Sequence, residues 1–560
     1  MRKSKSGDAL TVKAVAGTHV VLLGWNVKRA SAKRGLLGFA IQREDKTENE
    51  RYWLRGMKTF PSQSSPQGYG ASFSSREQPF QGFQWADYSA KPDHEYAYTV
   101  VPMYGAPGSL REGEGVRVSI GTETEWGKRH AVFFNRGAAA SQEYARRFQN
   151  RRPDQLTGAA QQAAYAWLSR GLVEALIAFI GQAEGKQFGL YGAIYEFQWP
   201  SVLEALRAAG NRGARVEIVY DAIRNAQRSP VAANDLAIAA AKIKSLCHPL
   251  TQGKIMHNKF LVLTKNGKPA AVWTGSTNIT ANGIFGHSNV GHAVRDTRVA
   301  AVYWSYWKEL RKNPAIADLK DWDEQNTAVP PLPPAAGTTE VLSPRRGLAA
   351  LKRYGEIAGS AKKALFMTFA FGMHEVFKSE YRRNDSVLRF ALMEKEGNGS
   401  GLAKARVEIA ALRRRPNVIV AIGHNIRTNS FDRWLGELSS AVARANVRWI
   451  HTKYMLVDPL GGSPMVVTGS ANFSEASTTT NHENMLVIRG DRRVADIYLG
   501  EFMRSYSHHA FRESVRRNLA AGRNVDEWKP QFLAPEDSWL APYFRPGSAL
   551  ELRRRYFSGG

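Results

Sequence analysis

Cysteine is almost absent. Cys247 stands alone in 560 residues, which excludes an internal disulfide framework and suits a reducing compartment. By itself it reads as packing. Long apolar runs are missing too: none approaches the roughly 20 residues that a membrane-spanning helix needs. The basic, polar stretch 1–10 lacks the apolar core of a signal peptide. The expected compartment is the cytoplasm, with export by a route that needs no cleaved signal left open. No Cys/His cluster, His-Glu-x-x-His pattern or Asp-rich calcium loop occurs at ligand spacing. Neither a metal nor another cofactor is therefore expected. Acidic residues are in short supply, since 50 Asp and Glu against 77 Lys and Arg leave a formal charge of +27. A field of that sign predicts anionic partners: DNA, RNA or an anionic phospholipid surface. Basic runs such as Arg413-Arg414-Arg415 and Arg553-Arg554-Arg555 read as solvated faces.

What the chain does contain is one pattern written twice. His257-Asn258-Lys259 leads into Gly275-Ser276-Thr277-Asn278, and His451-Thr452-Lys453 leads into Gly469-Ser470-Ala471-Asn472. The His-to-Gly spacing is 18 positions in both copies, which marks an internal repeat. In extended backbone, residues i and i+2 share a face. Each His therefore sits beside its Lys, while Asn258 and Thr452 point away. An imidazole can attack or pass a proton, and a Lys with an Asn can hold anionic oxygens. Two such sets facing each other would make a phosphodiester site.

The doubled pattern resembles the phospholipase D superfamily, whose motif is His-x-Lys-x4-Asp followed by Gly-Ser-x-Asn, twice per active site. The second copy matches in full through Asp458; the first has Thr264 in the acidic position. By parity that position faces away from the His/Lys side, so Asp458 and Thr264 read as structural support. The resemblance also implies a carboxylate about eleven residues beyond the Asn, orienting the catalytic His through its other ring nitrogen. Glu483 stands there in the second copy and Asn289 in the first. A carboxylate partner favours the cationic ring, so His451 is expected to be the nucleophile and His257 the general acid.

The implied reaction is a double displacement through a phosphohistidine. Lys259, Lys453, Asn278 and Asn472 would stabilise the phosphoryl oxygens. Ser276, Ser470 and Asn289 are expected to contact substrate. Two motifs fused in one chain resemble the larger phospholipases, which favours a phospholipid substrate. It also makes a monomer sufficient for a complete site, with peripheral contact to an anionic membrane compatible with the charge. The alternative is a metal-independent nuclease, because phosphate contacts dominate nucleic-acid affinity. A third reading, a catalytically silent binder of anionic ligands, is prompted by Thr264 and Asn289.

The chain is too long for one core. Residues 8–122 read as an all-β sandwich of short alternating strands. Around Tyr96 it resembles a fibronectin type III module with a corner tyrosine, and Trp25, Trp85 and Tyr104 read as core. From 128 the pattern alternates helix and strand, which implies a duplicated α/β unit with mixed sheets flanked by helices. Its halves are expected at 128–326 and 341–510, separated by a stiff Pro-rich linker at 327–340. In half one a helix is expected over 163–183 and a strand at 216–221 ending in Asp221. In half two 418–422 is expected to match that strand, and the basic stretch 378–415 to shape the substrate mouth. The tail, 511–560, is basic and aromatic and is expected to pack across its own domain. His424, His508 and His509 read as surface or ordinary hydrogen-bonded residues, and His482 as a neighbour of the site.

Overall fold

The computed structural model describes residues 1–560 except 64–70, 138–141, 150, 225–229, 398–400, 424–449, 521–531 and 560. The expectation for His424 falls outside the described residues. Two seven-stranded sheets organise the molecule, and they have the same strand order. From edge to edge the first runs His130–Phe134, Val290–Val294, Lys268–Gly275, Lys259–Lys265, Phe188–Ile194, Arg215–Asp221, Cys247–Leu250. The second runs Gly337–Ser343, Glu483–Arg489, Met465–Gly469, Tyr454–Val457, Ala364–Phe369, Leu388–Met393, Val418–Ile422. In each, the fifth strand of this order pairs parallel on one side and antiparallel on the other. These strands are buried almost end to end, which is why they read as continuous apolar runs rather than alternating ones.

This order corrects the alignment of the repeat. Val418–Ile422 occupies the edge, in the place of Cys247–Leu250. The counterpart of Arg215–Asp221 is Leu388–Met393, which lies inside the stretch expected to shape the mouth. Two apolar runs of similar length are indistinguishable by composition, and only the hydrogen-bond ladder tells edge from centre. The helix expected over 163–183 is two, Gly158–Ser169 and Leu172–Gly181. They break at Arg170 and Gly171, which both have positive φ. Arg170 is buried there, 2.6 Å from Glu501 of the other half. The Pro-rich linker is shorter than expected, because the strand Gly337–Ser343 takes its last residues into the second sheet. No single helix among the described residues is long and apolar enough to cross a membrane.

Asp458 holds a corner of the second sheet. Its carboxylate accepts the backbone N–H groups of Lys362, Lys363 and Ala364 at 2.7–2.8 Å. Thr264 instead reaches the Gly189 carbonyl, at 3.5 Å, and the Tyr191 hydroxyl.

At the N-terminus a four-stranded and a five-stranded sheet face each other over a core that contains Trp25, Phe39, Phe83 and Tyr96. Trp25 is fully buried, and Trp85 and Tyr104 pack against the same cluster. The Tyr96 hydroxyl accepts the Lys91 N–H at 2.9 Å. The tail packs on its own half, where the Tyr556 ring lies against Phe366 and Glu513 accepts the Ile422 N–H at 3.2 Å, and also on the sandwich. The helix Arg492–Ala520 runs across the expected boundary at 510, carrying a buried His509. Beyond it Trp539, Tyr543 and Phe544 close on Phe83 of the sandwich, and Ala549–Ser558 packs on the strand Val21–Val27.

Candidate active site

Both motif histidines sit on extended backbone just before a central strand, at the entries to Lys259–Lys265 and Tyr454–Val457. Each approach is anchored by a buried carboxylate at, or one residue past, the end of a strand two places along the sheet. The Met256 N–H donates to Asp221 Oδ2 at 2.7 Å. The Ile450 N–H donates to Glu394 Oε2 at 2.9 Å. Burial raises the Asp221 carboxyl to about 6. The sequence marks Asp221 only as a strand end and gives no sign of Glu394. The same signal, an acid closing the matching strand, became readable once Leu388–Met393 was aligned with Arg215–Asp221.

The residues before each His also bridge the two halves. Met256 pairs with His482, and Ile450 pairs with Ser288. His482 is buried and both its backbone N–H and its ring Nδ1 approach the Ile255 carbonyl. These bridges carry the next residues, Glu483 and Asn289, across the boundary. Glu483 therefore meets His257: its oxygens lie 3.0 and 2.9 Å from Nδ1. Asn289 meets His451, with Oδ1 2.9 Å from Nδ1. This overturns the expected pairing of Glu483 with His451. Each half supplies its histidine to one side of the site and its orienting residue to the other, a crossing that linear spacing does not disclose.

The tautomers follow from the partners. Asn289 spends its amide N–H on the Gly283 carbonyl at 2.7 Å, and its Oδ1 also accepts Ser276 Oγ–H at 2.8 Å. That leaves Oδ1 to accept from His451, so Nδ1 carries the proton and Nε2 is left for chemistry. Glu483 fixes His257 in the same way. Ser276, Ser470 and Asn289, expected to touch substrate, are fully buried behind the rings. Ser276 braces Asn289, and Ser470 Oγ accepts the Asn484 N–H at 3.0 Å. Asn258 faces away as expected and joins a buried network with Asn484 and Tyr306.

His257 and His451 open on one cleft of about 600 Å³, walled also by Asn278 and Asn472. The side-chain oxygens of both Asn residues are buried without a hydrogen-bond partner among the described residues. The Asn278 amide N–H is held by Glu196 at 2.7 Å. Lys259 and Lys453 are buried beneath, each Nζ donating to the carbonyl of its own motif histidine at 2.6 and 2.5 Å.

Burial works against the Glu483 charge, but His257 and Lys259 outweigh it and keep the carboxylate below its ordinary range. Burial brings His257 down to about 4, opposed by Glu483. His451 falls well below the usual range, through burial first and then Lys453, His287, Lys259 and His257. Both rings are thus neutral near pH 7. Lys259 is lowered by burial to about 8. Its cation is intact below that pH and lost above it. The expected kcat/KM falls as pH rises through about 8, and Lys259→Arg, which keeps its charge, removes that alkaline limb in a pH–rate profile.

A family model described as the PLD-like domain of cardiolipin synthase matches residues 176–311 and 408–506. The match supports the phospholipase D superfamily, whose members are phosphoryl-transfer or hydrolytic enzymes. Solved structures similar to it include phosphatidylserine synthase from Haemophilus influenzae, at 12% identity over 63% of this chain and 92% of that one, TM-score 0.42. Nuc, a phospholipase D family member from Salmonella typhimurium, shares 24% identity over 25% of this chain and 87% of its own, TM-score 0.21. Yeast tyrosyl-DNA phosphodiesterase shares 13% over 57% and 85%, TM-score 0.32. No curated protein matches the chain in sequence.

Proposed function

We propose that this chain hydrolyses a phosphodiester through a phosphohistidine on His257, with His451 as the general acid. The observation that carries the assignment is the crossed pairing of Glu483 with His257 and Asn289 with His451. A carboxylate at Nδ1 raises the electron density of Nε2 and offsets the positive charge that the ring gains on attack. In the first step the His257 Nε2–P bond forms as the P–O bond breaks, and the departing oxygen takes the proton from His451 Nε2. That proton enters with substrate, whose anionic phosphate supplies the counter-charge that burial denies His451. In the second step water attacks phosphorus, gives its proton to His451 and releases His257. Lys259, Lys453, Asn278 and Asn472 hold the non-bridging oxygens as charge builds.

The substrate we favour is a phospholipid. Both motifs lie in one chain, and the cleft wall beside Asn278 carries the carboxylate of Glu196. A negative group there suits an isolated phosphodiester and repels the neighbouring phosphates of a polyanion. The charge of +27 supports a nuclease as the second reading. A paired assay in excess chelator separates them: phosphatidylcholine or phosphatidylglycerol vesicles in one arm, plasmid DNA and RNA in the other. Lipid turnover is expected, and Glu196→Gln should shift the preference towards nucleic acid. Faster cleavage of DNA or RNA by the wild type would establish the second reading. A requirement for added divalent metal would sink both.

A further inference from the structure

The two sides of the site are not equivalent, and the difference lies two residues before each orienting group. Beside His257 that position is Asn481, a neutral amide whose Nδ2 approaches Glu483 at 3.4 Å. Beside His451 it is His287. The ring of His287 lies 5.5 Å from that of His451, inclined by 42°, and both rings line the cleft. Its position is fixed by the backbone. The His287 N–H donates to the Asn282 carbonyl at 2.8 Å, and its own carbonyl accepts Asn135 Nδ2 at 2.7 Å. The bridge from Ser288 to Ile450 then sets the loop against the second motif.

We infer that His287 is a positioning residue for the proton-transfer step, acting through the His451 ring to govern delivery of a proton to poor leaving groups. The inference rests on the assignment of His451 as the acid. Two imidazoles at this spacing take up one proton readily and a second only against like-charge repulsion. Lys453 and Lys259 also act on His451 with positive charge, and its Nδ1 partner, Asn289, is neutral. The proton that arrives with substrate is therefore loosely held on the pair and readily given to the departing oxygen. Water returns it in the second step. An amide at 287 would leave the His451 proton more firmly held, and a leaving group that needs little protonation would not register the change.

The test compares two phosphodiesters that differ only in the leaving group, one para-nitrophenyl and one ethyl. For His287→Asn, kcat on the ethyl ester should drop about tenfold while the para-nitrophenyl ester stays within about twofold. Read in the first step, as the single-turnover release of the leaving group, His451→Asn should give the same selective pattern with a larger loss. His287→Gln repeats the test should His287→Asn fail to fold. An equal loss on both esters, or none on either, overturns the inference and leaves His287 a packing residue. If His451→Asn itself shows no selectivity, the assignment of His451 as the acid falls, and the His287 role with it.

Discussion

Replacing His257 with Ala should cost about a thousandfold or more in kcat, in line with losing the nucleophile of a covalent mechanism. The enzyme should no longer acquire an acid-labile phosphoryl group from labelled substrate. The informative comparison is His451→Asn. With the nucleophile intact and the acid gone, an activated ester should still load His257, and the adduct should persist because its hydrolysis lacks a base. Peptide mapping of the trapped label decides the matter. A label on residue 257 supports the crossed assignment, whereas a label on residue 451 in the His257→Ala protein reverses the roles.

Glu483→Ala should lower kcat about a hundredfold, the scale of losing a group that orients and polarises a catalytic imidazole. The carboxylate is completely buried and lies within hydrogen-bond reach of His257 Nδ1 through both oxygens. A ring proton bound to a buried carboxylate resonates far downfield. That signal should vanish in Glu483→Ala and in His257→Ala, and remain in His451→Ala. Its loss in His451→Ala alone would restore the pairing within one half. Asn289→Ala should cost less, since it removes an uncharged partner.

Much of the candidate site is legible in the sequence, because its residues recur at fixed spacing. The doubled His-x-Lys and Gly-Ser-x-Asn segments place His257, His451, Asn278 and Asn472 on one cleft, and residue 458 behind its sheet. What sequence could not give was which half serves which ring. Glu483 and Asn289 each stand eleven residues beyond an Asn of their own motif, and proximity along the chain suggested proximity in space. The bridges Met256 to His482 and Ser288 to Ile450 send them the other way, and such contacts leave no trace in composition. The same limit misaligned Val418–Ile422. A run of five apolar residues fits a sheet centre or a sheet edge equally well. The two serines were misplaced for a different reason: a hydroxyl next to a catalytic Asn suggests substrate contact, but here both turns fold it inward, onto Asn289 and Asn484.

The meeting of tail and sandwich has a consequence for biosynthesis. Phe83 is sealed by Trp539, Tyr543 and Phe544, and the backbone at Gly24 lies so close to Phe557 that a methyl group there would collide with its carbonyl. The sandwich, translated well before residues 539–557, thus keeps part of its apolar interior uncovered until those residues emerge. In that interval the nascent chain presents the opening to chaperones, and emergence of residues 539–557, rather than of the β-strands, completes the sandwich.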